Sequence, residues 1–67
     1  MVIVVKVLET GMKVELPEKE IKASDLLKKL GLSISEHIVI RNGVVISEEE
    51  IIVDGDEVAI FTVKSGG

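Results

Sequence analysis

His37-Ile38-Val39-Ile40-Arg41-Asn42-Gly43-Val44-Val45-Ile46 is two apolar runs joined at an Asn-Gly pair. Asn and Gly are the residues that tolerate positive φ at both central positions of a type I′ turn, whose twist matches that of the flanking strands. The stretch therefore predicts a tight hairpin, with strands over 37–40 and 44–46. Ser47 to Glu50 is polar and acidic and reads as a turn, and Ile51-Ile52-Val53 follows as a short apolar segment. Asp54-Gly55-Asp56 makes another turn, and Glu57 to Val63 is a final strand.

Upstream of the hairpin, Ala23, Leu26, Leu27 and Leu30 stand at i, i+3, i+4 and i+7, the spacing of one helical face. Lys28 and Lys29 fall near the C-terminus of that helix, where positive charge suits the macrodipole, and Gly31 suits the residue just beyond it. Ser24 is the best capping residue type at the start, although Ala23 already belongs to the apolar stripe. The prediction is one helix of about two to three turns. Before it, Val2 to Leu8 is a β-branched run, Glu9-Thr10-Gly11 a turn, and Met12 to Leu16 alternates apolar and polar before Pro17. The order is hairpin, helix, hairpin, final strand, which predicts an α+β fold with one helix on one face of a sheet.

Sixty-seven residues make one domain with little core to spare for a deep pocket. The 46% hydrophobic content, rich in Val, Ile and Leu, offsets the small size. There is no cysteine, which excludes a disulfide framework, a thiolate metal site, a cysteine nucleophile and a cysteine-held iron–sulfur cluster. A single histidine, His37, rules out a His-based metal cluster, and it reads as a strand or loop residue without chemistry. Glu48-Glu49-Glu50 reads as a solvated turn. The net charge of −4 and the lack of a basic stripe argue against nucleic acid and suit docking onto a basic protein partner. No apolar run reaches membrane-spanning length, and no signal peptide is evident at the start, so a cytoplasmic protein is expected. The absence of Gln and a lone Asn lean towards a thermophilic source.

The catalytic searches thus come up empty, and attention falls on the end of the chain. Two terminal glycines occur by chance in about one chain in 200 at average composition. Glycine has no Cβ, so a tail of it can thread a narrow channel and bring its carboxylate to a nucleotide. Lys64, Ser65, Gly66 and Gly67 span about 13 Å when extended, enough to enter a partner's active site while the body docks outside.

Taken together, the Asn42-Gly43 hairpin, the Asp54-Gly55-Asp56-Glu57-Val58 turn into the last strand and the Ser65-Gly66-Gly67 end resemble the ThiS/MoaD family of sulfur carriers. The start, Met1-Val2-Ile3-Val4-Val5-Lys6, with the hairpin and helix after it, resembles ubiquitin more loosely. The resemblance implies a ubiquitin-like β-grasp domain over residues 1–67. Its sheet is mixed and four- to five-stranded, one helix packs on one face, and residues 64–67 form a flexible functional tail. It also implies a chemistry: an E1-like adenylyltransferase of the ThiF/MoeB type adenylates the Gly67 carboxylate, and a sulfur donor such as a cysteine desulfurase converts it to a thiocarboxylate. A downstream synthase then takes the sulfur for the thiazole of thiamine, for molybdopterin or for a tRNA base. ATP and Mg²⁺ belong to the partner, so no cofactor and no metal are expected on this chain, which is a monomeric carrier and not an enzyme. Only Gly31 to Glu36 separate helix and third strand, which matches the shorter, ThiS-type pattern. Many members carry an apolar residue before Asn-Gly, whereas this chain has Arg41.

Two expectations conflict on the last strand. Phe61 is the largest apolar side chain and on size alone belongs in the core. The register of the resemblance instead puts Val58 and Ile60 inside, and leaves Ala59, Phe61 and Val63, with Arg41, as the partner-binding surface. The second expectation is followed here. Two other readings use the same sequence: a protein modifier joined to target lysines through Gly67, and a non-covalent β-grasp interaction module.

Overall fold

A computed structural model describes residues 2–63. Strand β1 (Ile3–Val7) is almost wholly apolar, yet only Ile3, Val5 and Val7 are buried, so period-two geometry selects the inner face. It pairs antiparallel with β2 (Met12–Leu16), Ile3 opposite Leu16 and Val7 opposite Met12. A third strand, β3 (Glu20–Lys22), leads directly into helix α1 (Ala23–Lys29). A 3₁₀ turn (Ile34–Glu36) then precedes β4 (His37–Arg41), β5 (Val44–Ile46), β6 (Ile51–Val53) and β7 (Glu57–Thr62).

The main sheet has the order β2-β1-β7-β4-β5. The central strand β7 runs parallel to its neighbour β1, and every other pair is antiparallel. The fold is the expected α+β, ubiquitin-like β-grasp with a mixed sheet of five strands. Leu26, Leu27 and Ala23 on the helix close over Val5, Val39, Val58 and Ile60 on the sheet in one core, and no polar side chain among the described residues is buried there. Among these residues no helix is long and apolar enough to cross a membrane.

Three details differ from the sequence expectation. β3 and β6 form a separate two-stranded ribbon, Ile21 opposite Ile52, where the sequence suggests no strand before the helix. Three residues per strand are too few for alternation to show, and Ile21 stands alone between charged neighbours. Ser24 is not the helix cap: Lys22 occupies that position and makes no side-chain bond. The free N–H groups of Ala23 and Ser24 instead donate to the carbonyls of Glu50 and Glu48, both at 2.9 Å. The acidic turn is therefore a backbone cap for the helix as well as a solvated loop.

The other end follows expectation. Gly31 takes φ +74°, its N–H donates to Lys28 O, and Leu32 N–H reaches back to Leu27 O at 2.8 Å, which together make a Schellman motif. A Cβ at Gly31 meets nothing within 4 Å, so Gly31→Ala is penalised by backbone conformation alone. A left-handed L-residue costs about 1–2 kcal/mol. Thermal unfolding of this variant should shift down by about 4–8 °C per kcal/mol for a domain of this size.

Candidate functional site

Alternation along β7 divides its side chains cleanly. Val58 and Ile60 are 3% and 1% exposed and point to the helix, whereas Phe61 is 51% exposed on the opposite face. Size alone would have placed Phe61 inside; register decides otherwise, because its cross-strand partner Ile38 also lies off the core side of β4. The same pairing sets Ala59 between Lys6 on β1 and Ile40 on β4, and Ile40 faces Val45 on β5. No element covers this face among the described residues. A shallow concavity on it is lined by Val4, Lys6, Lys13, Ile40, Asn42 and Ala59, among others.

The exposed row runs down β7 towards the chain end. Val63, the last described residue, is 45% exposed, and its N–H donates to Glu36 O at 2.7 Å. That bond anchors the root of the tail to the 3₁₀ turn, and sequence reading gave no sign of it. Lys64, Ser65, Gly66 and Gly67, on which the chemical expectation rests, lie outside the described residues.

Of the expected docking residues, Ala59 and Phe61 share one face and Val63 continues their row. Arg41 does not join them. It sits opposite Val58 on the helix side of the sheet, and its guanidinium donates to Ile51 O at 2.8 Å, tying β4 to the ribbon strand β6.

Next to it, Asn42 does two jobs. Its φ of +51°, with Gly43 at +84°, gives the expected type I′ turn. Its side chain also donates from Nδ2 to Asp56 Oδ1 at 3.2 Å and accepts the Glu57 N–H at 3.0 Å, while Asp56 Oδ2 accepts from Val53 N–H. The two turns that the sequence singles out are thus bolted together, and the start of β7 is fixed by the bolt. Asn42→Gly keeps the positive φ and removes both side-chain bonds. At about 0.5–1.5 kcal/mol each, it should lower the unfolding free energy by about 1–3 kcal/mol in urea with an unchanged m-value.

His37 is half-buried in β4, and its Nδ1 lies 2.7 Å from Ser33 O, an acceptor that requires the Nδ1–H tautomer. Among the described residues no group of three or more His, Cys, Asp or Glu is placed to hold a metal ion. Well away from the open face, a hydrogen bond from the Lys29 ammonium holds the Glu18 carboxyl below its usual range. Its small, solvent-screened contribution is present at neutral pH and is lost as pH falls through the lowered value.

A family model described as the ThiS family matches residues 4–67, nearly the whole chain and through its final glycine. No curated protein matches the chain.

Proposed function

The chain belongs to the ThiS family, and on that premise we propose that it carries sulfur on the carboxylate of Gly67. Membership supports a sulfur-carrier role in general, of a small carrier protein rather than an enzyme, working with E1-like and sulfur-transfer partners. The observation that carries the finer reading is that the family match runs through the Ser65-Gly66-Gly67 end. The outward row of half-buried Ala59 and exposed Phe61 and Val63, which leads towards that end, supports it.

The chemistry follows from the weakness of a carboxylate as an electrophile. In the active site of a ThiF/MoeB-type adenylyltransferase, a Gly67 carboxylate oxygen attacks the α-phosphorus of ATP and pyrophosphate leaves. The acyl-adenylate is then attacked at its carbonyl carbon by the terminal sulfur of a persulfide supplied by a donor such as a cysteine desulfurase, and AMP leaves. A second partner thiol cleaves the resulting acyl disulfide, leaving a disulfide on the partner side. The resulting thiocarboxylate hands its sulfur to a downstream synthase. The short connection between helix and β4 favours the thiazole of thiamine as the product over molybdopterin or a tRNA base. In this scheme the open sheet face docks on the adenylyltransferase, and Lys64 to Gly67 thread into it.

The test is pyrophosphate exchange with the native host's adenylyltransferase and ATP. Exchange should require this chain and saturate with it. An enzyme preparation that is active on another carrier yet shows no exchange with this one would contradict the reading.

A further inference from the structure

We propose that the open sheet face recognises an acidic patch on its protein partner, through Lys6 and Lys13 acting as a pair beside the apolar row. The inference rests on the docking role given above and adds the chemistry of the surface that meets it. It also runs against what net charge alone suggests, since a chain at −4 is expected to seek a basic partner.

Lys6 and Lys13 are direct cross-strand partners on β1 and β2, and both are exposed. Directly opposed residues hold their Cβ atoms about 5 Å apart, and like charges there destabilise the pair. Among the described residues the one ion pair is Lys29 with Glu18, so neither lysine has a carboxylate within 4 Å. Both line the concavity with Val4, Ile40 and Ala59, and Glu57 lines it too, at the end level with Val4. Lys6 stands level with Ala59, at the step of β7 just before Phe61, on the way to the chain end. Glu15 and Glu57, the acids of the same face, sit one step further back, level with Val4. The face is therefore polarised, with its positive end towards Phe61 and the tail.

Two ammonium groups with long apolar stems beside an uncovered apolar row suit carboxylates on a protein surface, which relieve their mutual repulsion on docking. Two lysines on an acidic chain are too few for nucleic acid or an anionic membrane, where several cations act together.

The experiment measures the KM of the full-length carrier in pyrophosphate exchange with the host adenylyltransferase, from low to high salt. It compares wild type, Lys6→Gln with Lys13→Gln, and a control pair, Lys22→Gln with Lys28→Gln, on the ribbon and helix. Both pairs remove two positive charges. The open-face pair should raise KM about tenfold or more at low salt with kcat unchanged, and the gap should close as salt screens the charges. Its melting temperature should stay level or rise, because cross-strand repulsion is gone. The control pair should leave KM near wild type. Equal KM for the open-face pair, an equal rise in the control, or a wild-type KM that falls with salt would each overturn the inference while leaving the carrier reading intact. Failure of wild type to support any exchange would remove both.

Discussion

A chain ending at Ser65 should fold as the full-length protein does and should not be activated at all. Among the described residues every buried member of the core lies at or before Ile60, and Val63, upstream of the cut, is anchored to Glu36. Loss of two residues beyond that point should change stability by no more than about 0.5 kcal/mol, as for other changes away from packed structure. The effect on chemistry is of another order. The new carboxylate falls two residues short of the reacting position, about 7 Å along an extended chain. A misplacement of only about 1 Å can cost about a hundredfold in rate, so pyrophosphate exchange should drop below detection. Thermal unfolding and exchange, measured on the same sample, separate the two effects. Exchange that survives the truncation would exclude Gly67 as the acceptor, and a truncated chain that unfolds early would give the tail a structural role.

Neighbouring residues on β7 should behave oppositely. Ile60→Ala removes a side chain that is 1% exposed and should cost about 2–5 kcal/mol. A domain of this length has about 3–10 kcal/mol in total, so a substantial fraction of the variant should be unfolded at ambient temperature. Phe61→Ala removes a larger side chain from the other face and should leave the melting temperature nearly unchanged. Its loss should appear in docking, where truncating a central aromatic commonly costs about 2 kcal/mol or more, a rise of about thirtyfold in the carrier's KM. A large fall in melting temperature for Phe61→Ala, or an unchanged KM, would contradict the assignment of the open face.

That contrast also marks how far the sequence can be read. Asn42-Gly43 announces its turn because few residues accept two consecutive positive φ values, and Ala23, Leu26 and Leu27 announce the helix because burial imposes a period. Phe61 is ambiguous in a continuous apolar strand: its size argues for the core, and only pairing with β4 fixes its side. The β3–β6 ribbon is silent because three-residue strands carry no period. The helix cap is silent too, since its acceptors are the backbone carbonyls of Glu48 and Glu50, and backbone atoms leave no residue signature. The resemblance sets Arg41 with the docking residues, whereas alternation along β4 sends it to the helix side, opposite Val58. The same alternation, applied to β1 and β2, puts Lys6 and Lys13 together on the outer face. The diglycine end was legible as a chemical proposition only, and its proof lies in chemistry.

Because the chain has no cysteine, the most direct test is simple to interpret. The protein is purified from its native host, treated with a thiol-alkylating reagent, and its intact mass is recorded with fragmentation of the tail. Mass without alkylation does not suffice, since oxidation of a methionine adds about 16 Da, close to exchange of oxygen for sulfur. Alkylation localised to Gly67 is the predicted result and identifies a thiocarboxylate. A Gly67 that stays unlabelled, even after incubation with ATP, a sulfur donor and the host's adenylyltransferase, would contradict the carrier role and turn the search to conjugates on target lysines.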